Sequence, residues 1–266
     1  MSVQSSFITV QGRRLEYRRI ASERPDTPTL VFLHEGLGSV SLWRDFPDRV
    51  AHATGCGAVV YSRYGYGRSD PLQVPRTVDY MHREAREALP ELIDKLGIVD
   101  PLLVGHSDGA SIAILYAAAH PGMRGLVLEA PHVFVEEISV TSIAAARTAF
   151  ETSEMPEKLA RHHADPRRTF YGWNDIWLHP DFLAWNIEAF LAAITCPMLL
   201  IQGLDDEYGT LQQLDAIARQ ARGPVEVVKL EACRHSPHRD QPDATLAAMV
   251  RFIRRVAPGA IQAAAA

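Results

Sequence analysis

Residues 101–110 read Pro101-Leu-Leu-Val-Gly-His-Ser-Asp-Gly-Ala110, an apolar run that ends at a serine between two glycines and enters a helical pattern. A run of Pro-Leu-Leu-Val is the length and composition of a strand covered on both faces. Ala110 to Ala119 then shows helical spacing. A serine at so sharp a turn between strand and helix must adopt a strained backbone. The positions two before and two after it must then be small, and Gly105 and Gly109 supply this. The turn lifts the Ser107 hydroxyl above the strand at a helix N-terminus, where partial positive charge favours a developing anion. A bare Gly-x-Ser-x-Gly is a weak signal. Between a strand and a helix it points to a nucleophilic serine.

Similar apolar runs recur on either side. Thr29 to His34 and Gly57 to Ser62 precede the central one, and Gly125 to Glu129, Pro197 to Gln202 and Val225 to Leu230 follow. Each is short and nearly all apolar, which predicts strands covered on both faces. Thr77 to Leu96, Leu211 to Ala221 and Asp243 to Val256 have helical spacing. Upstream, Phe7 to Val10 and Arg14 to Ile20 alternate around Gln11-Gly12, which predicts a hairpin. The alternation of strand and helix predicts an α/β fold with a mainly parallel twisted sheet between helix layers.

Between His132 and Thr195 the strand signal stops. Ala144 to Phe150, Phe170 to Trp177 and Phe182 to Trp185 are helical and aromatic. The spacing therefore predicts a core made of residues 1–131 and 196–260. Residues 132–195 would form a helical lid over the strands' carboxyl ends, where such folds bind ligands. Phe150, Phe170, Trp173, Trp177 and Trp185 are expected to wall an apolar pocket, with at least two of them forming the lid's own core. His162-His163, without further ligands nearby, reads as a polar lid surface rather than a metal site.

Composition excludes several function classes. The 266 residues are 47% hydrophobic and 22% charged, with a net charge of -5 and no basic block, so a nucleic-acid role is not expected. Three cysteines in no paired spacing argue against a disulfide framework. The start, residues 1–14, has no apolar core of a signal peptide, and no apolar run approaches the roughly 18 residues of a membrane span. The expectation is a soluble, cytoplasmic protein acting on a small molecule, with residues 261–266 as a flexible tail.

A serine needs a base, and the base an orienting acid. Downstream in chain order, Ile201-Gln-Gly-Leu-Asp-Asp-Glu-Tyr-Gly209 and Cys233-Arg-His-Ser-Pro-His-Arg-Asp240 each follow a strand, on the same sheet edge as Ser107. Together these motifs resemble the α/β-hydrolase superfamily across nearly the whole chain. The resemblance implies an α/β-hydrolase fold and a triad of Ser107, Asp206 and His235. Asp206 lies three residues after Gly203, with Asp205 as the second choice and Glu129 as an acid position used by some relatives. His235 heads a His-x-x-x-x-Asp stretch before Pro242, whereas His238 and Asp240 would shape the loop and cap the final helix. An oxyanion hole would come from the N–H groups of Gly36, in His34-Glu-Gly-Leu-Gly38, and of Asp108. Glu35 stands where the family usually has glycine and is expected to point away or meet a cation. Ser62 to Asp70 resembles a structural family loop, with Arg63 bonding nearby backbone.

The resemblance implies acyl transfer without cofactor or metal, most simply ester hydrolysis. His106 and Ser236 do not match the carbon–carbon bond hydrolases, whereas amidase, aminopeptidase-like or perhydrolase activity, or a slowly reacting receptor, share the same residues. Asp108 also appears in relatives that cleave amino-acid esters, so Asp108 and Glu35 could favour a cationic substrate, with Trp173 and Trp177 as apolar wall.

Overall fold

The computed structural model describes residues 5–24 and 26–257. Positions 1–4 of the chain start and the tail at 261–266 lie outside them. Eight described strands form one sheet: β1 (Ser6–Val10), β2 (Arg13–Ile20), β3 (Thr29–Leu33), β4 (Gly57–Tyr61), β5 (Pro101–His106), β6 (Leu126–Glu129), β7 (Met198–Gly203) and β8 (Val225–Leu230). Their spatial order is β1-β2-β4-β3-β5-β6-β7-β8. The β1–β2 hairpin and the β2–β4 pairing are antiparallel, and the pairings from β4 to β8 are parallel. This is the twice-covered, mainly parallel sheet that the sequence predicts.

The helices are α1 (Phe46–Thr54), α2 (Tyr80–Arg83), α3 (Leu89–Lys95), α4 (Asp108–Ala119), α5 (Glu137–Thr152), α6 (Met155–Ala160), α7 (Pro166–Trp177), α8 (Gln212–Gln220), α9 (Pro237–Asp240) and α10 (Pro242–Val256). Because strand side chains alternate, Leu103, Leu128 and Leu200 face a core shared with Leu89, Ile112 and Ile217. Leu102, Val127 and Ile201 face the other, with Val50, Met249 and Phe252. Each fully buried aliphatic side chain stabilises by roughly 1.5–3 kcal/mol.

Two departures from the expected elements have local causes. Thr77 to Leu96 is not one α-helix, because a π-turn at Glu84–Ala88 separates α2 from α3. Pro90 has no N–H for the carbonyl four residues back, and the widened turn lets the Leu89 N–H reach Glu84 instead. Strand β8 is not covered on both faces. It forms the sheet edge, and Val227 is 39% exposed.

Between β6 and β7 the chain forms α5, α6 and α7 and two 3-10 turns, Pro180–Ala184 and Glu188–Ala193. Phe150 stacks on Phe170 with ring centroids 3.9 Å apart, so these two rings form this segment's own core. Among the described residues, no helix is long and apolar enough to cross a membrane. Cys56, Cys196 and Cys233 are free and buried.

The turn after β5 is tightly constrained by backbone on both sides. A Cβ at Gly109 would lie 2.0 Å from the Leu33 carbonyl oxygen, and one at Gly105 would lie 2.5 Å from the Gly109 oxygen. Both obstacles are backbone and cannot swing aside. Gly109→Ala is therefore expected to destabilise by about 3 kcal/mol, read as a lower denaturation midpoint with an unchanged slope. An unaltered midpoint would contradict the packing described.

Candidate active site

Ser107 occupies φ 52°, ψ -117°, a strained conformation for a residue with a side chain. Its N–H donates to the Glu129 carbonyl at 2.9 Å, and its own carbonyl accepts from Ala110 at 2.9 Å and Ser111 at 3.1 Å. The turn is thus tied to β6 on one side and to the first turn of α4 on the other.

The loops after β7 and β8 cross at Gly203, where a Cβ would meet the Cys233 carbonyl oxygen at 2.0 Å. That contact, with the Asp205 N–H donating to the Cys233 carbonyl at 3.0 Å, brings the two loops together. His235 Nε2 then lies 2.9 Å from Ser107 Oγ, and His235 Nδ1 lies 2.8 Å from Asp206 Oδ1. The tautomer that satisfies both neighbours carries its proton on Nδ1 and accepts from the serine hydroxyl. Asp206 also accepts from the Tyr208 N–H at 2.8 Å and from Gln202 Nε2 at 3.1 Å. Burial pushes the Asp206 carboxyl up, but its interaction and hydrogen bond with His235 and the Tyr208 N–H hold it below its usual value. Asp205 is exposed. Glu129 pairs with His238, Oε2 to Nδ1 at 2.8 Å, and not with His235.

That pairing corrects the expectation for His238. It turns inward to Glu129 and does not cap α10, whose cap position is Gln241. Asp240 does close the loop, accepting from the Arg234 N–H at 2.8 Å. His163 is a second correction. It is 4% exposed, accepts from the Gly67 N–H at 2.9 Å and donates from Nε2 to the Leu37 carbonyl at 2.9 Å. The imidazole pins the 34–38 loop to the 62–70 loop from within, and burial lowers its pKa to about 4.

Beside the serine is a cavity of about 110 Å³. Leu37, Ile143, Trp173 and Trp177 form apolar wall, and Gly36, Glu35, His132, Ser139 and Tyr208 contribute backbone or polar groups. The Trp173 indole explains why position 36 is glycine, since a Cβ there would lie 2.1 Å from its Nε1. Neither the Gly36 nor the Asp108 N–H donates to another backbone group among the described residues. Trp185 is buried but does not line this cavity. Composition and periodicity give no sign of Leu37, His132, Ser139, Ile143 or Tyr208; only the approach of three separate loops and helix α5 brings them together. A larger cavity of about 300 Å³ between Arg13, Tyr64, Arg76 and Glu84 holds no serine, cysteine or histidine.

The Asp108 carboxylate, expected as a contact for a cationic substrate, is taken by the protein itself. It is fully buried and accepts from Tyr80 OH at 2.7 Å and Trp177 Nε1 at 3.2 Å, with Arg63 Nη2 at 3.5 Å. Arg63 also donates to the Glu35 and His34 carbonyls, at 2.9 and 3.2 Å. Glu35 meets cations, with Oε2 3.5 Å from His106 Nδ1 and Oε1 3.9 Å from Arg239. His106 Nε2 in turn donates to the His235 carbonyl at 2.7 Å. This Glu35–His106–His235 chain joins the loop of Gly36, the serine turn and the histidine loop.

An alpha/beta hydrolase family model matches residues 30–248. The chain is 28% identical over 119 residues to the proline iminopeptidase of Lactobacillus delbrueckii subsp. lactis, a match covering 44% of this chain and 40% of that protein. It is 27% identical over 137 residues to the sn-1-specific diacylglycerol lipase of Mus musculus, covering 52% of this chain and 43% of that one. These matches span less than half the length of the curated relatives. A solved haloalkane dehalogenase from Bradyrhizobium elkani superposes with a TM-score of 0.75 at 22% identity, covering 95% of this chain and 98% of that one. At that identity the likeness is one of fold.

The Glu35–His106 pair gives a pH signature. Burial opposes the charge on each, yet the pairing holds Glu35 well below its usual value near 4.5 and His106 above its usual value near 6.5. Stability from the depressed carboxyl is lost as pH falls through its folded value; that from the raised imidazole is lost as pH rises through its own. Glu35→Gln should therefore cost about 1–2 kcal/mol between pH about 5 and 6.5, with the gap to wild type closing as pH rises through the raised imidazole value. Thermal denaturation of both proteins across pH checks this, and a gap that widens with rising pH contradicts it.

Proposed function

Because this chain belongs to the alpha/beta hydrolase family, we propose that it is a serine hydrolase cleaving small carboxylic esters through an acyl-enzyme on Ser107. The observation that carries this reading is the relay in which one imidazole lies 2.9 Å from the serine oxygen and 2.8 Å from a buried carboxylate.

Ser107 Oγ attacks the ester carbonyl carbon while His235 Nε2 takes its proton, and Asp206 steadies the imidazolium. The N–H groups of Gly36 and Asp108 receive the oxyanion, helped by the N-terminus of α4. As the tetrahedral intermediate collapses, the alcohol leaves with the proton from His235. Water then gives a proton to His235 and attacks the acyl carbon, and Ser107 departs with that proton. The scheme uses side chains, backbone and water alone. Residues 132–195 act as the lid, with Trp173 and Trp177 excluding water from the acyl group. The cavity of about 110 Å³ suits a short acyl chain.

Esters are favoured over amino-acid derivatives despite the likeness to an iminopeptidase. The two acidic groups that could have selected a cationic substrate, Asp108 and Glu35, are already matched by Arg63, His106 and Arg239. An alanine ester should therefore gain nothing over a propionate ester of the same alcohol. A clear preference for the alanine ester that Asp108→Asn abolishes would reverse this choice.

Wild type should turn over 4-nitrophenyl acetate and butyrate many times per active site. Ser107→Ala and His235→Ala should each lower kcat by about 10^4-fold or more, and the double variant scarcely further. One equivalent of nitrophenol without further turnover would favour a receptor. Full activity in Ser107→Ala would end the acyl-enzyme scheme.

A further inference from the structure

Beyond the relay, the cavity contains one buried polar side chain that the protein leaves unmatched. His132 follows β6 and is 2% exposed. Its Nδ1 is buried without a hydrogen-bond partner among the described residues. The ring lines the same cavity as Ser107, with its centroid 5.6 Å from that of His235 and 5.4 Å from that of Trp177.

Backbone hydrogen bonds fix the segment that carries this ring. Ala130 takes φ 44° to turn the chain off the strand, while its N–H donates to the Ile201 carbonyl at 2.8 Å. The His132 carbonyl accepts from Ser111 Oγ at 2.6 Å, and the next N–H donates to Gln213 at 2.8 Å. A buried imidazole with no partner is costly, so a rigidly mounted one in a ligand cavity calls for a partner that arrives with the ligand. Burial lowers its pKa to about 4, so the ring is neutral near neutral pH and offers one N–H donor and one acceptor nitrogen.

We propose that His132 determines specificity by hydrogen bonding an oxygen on the acyl part of the substrate, so that the preferred esters are those of short hydroxy or keto acids. This rests on the ester-hydrolase reading above and goes further by naming the acyl group. A neutral imidazole pairs equally with a hydroxyl, as donor or acceptor, and with a keto oxygen, as donor. It offers no charge for a carboxylate or an ammonium. The acyl group is the part matched to His132 because it stays on Ser107 through both half-reactions, whereas the alcohol departs after the first. The apolar remainder of the wall, Trp173, Trp177 and Ile143, accepts the short carbon chain.

The test uses pairs of esters with one leaving group: 4-nitrophenyl lactate against propionate, and 3-hydroxybutyrate against butyrate. Each hydroxy ester's spontaneous hydrolysis is measured alongside. Relative to that background, wild type should favour the hydroxyacyl member of at least one pair by about 10-fold in kcat/KM. His132→Phe, of similar size and without nitrogen, should erase this preference, bringing the ratio of hydroxyacyl to plain acyl turnover to about 1 whatever happens to the two absolute rates. His132→Gln, which keeps a donor and an acceptor, should retain part of it. Equal wild-type turnover within both pairs, or an equal loss on both members in His132→Phe and His132→Gln, overturns the assignment and leaves the ester reading intact. Absence of any ester turnover by wild type overturns both.

Discussion

A serine held at φ 52° is the constraint on which the remaining site geometry depends. Such a backbone conformation costs on the order of 1–3 kcal/mol and persists only where its surroundings over-determine it. Here the surroundings are hydrogen bonds from Ser107 to β6 and α4, together with a contact between β3, β5 and α4 too close for any Cβ at Gly105 or Gly109. The strained turn holds the hydroxyl above the carboxyl edge of the sheet. The loops after β7 and β8, crossing at Gly203, then need only place one imidazole and one carboxylate against it.

Charge is distributed around that hydroxyl so that each carboxylate near it has a partner within the protein. Asp206 faces His235, Glu129 faces His238, Glu35 faces His106 and Arg239, and Asp108 faces Arg63, Tyr80 and Trp177. Pairs of this kind contribute little net stability, since desolvation offsets most of their attraction, but losing one partner strands the other at high cost. They fix position: the Glu35–His106–His235 chain holds three loops in register without touching the reacting atoms. His34, His132 and His163 are buried and pushed toward the neutral form, burial being the largest influence on each. Two of these three neutral rings are satisfied by backbone, and the third faces the cavity.

The sequence made the frame legible because the frame rests on short-range rules. Apolar runs spaced by helical patterns give the strands, and a serine between two glycines after such a run gives the turn. The order Ser107, Asp206, His235 on three strand ends is one that a parallel sheet converts into proximity, and the structure brings those three side chains within bonding distance. What could not be read depends on contacts between distant segments. His163 looks like a polar surface residue until Leu37 and Gly67 are seen on either side of its ring. Asp108 reads as an acidic pocket group until Tyr80 and Trp177, from segments 28 and 69 residues away, are found holding it. The π-turn was legible in principle, from Pro90 inside a helical pattern. His132 carries no motif, and only its position on the cavity wall distinguishes it.

The central claim is that Ser107 is a nucleophile activated by His235. The most direct measurement is labelling of the native protein with a fluorescent alkyl fluorophosphonate, followed by mass spectrometry of the digested peptides. The account predicts one equivalent of label on the peptide bearing Ser107, with labelling slowed by orders of magnitude in His235→Ala although that protein remains folded. Label distributed over other residues, or incorporated at the wild-type rate without the imidazole, would contradict it.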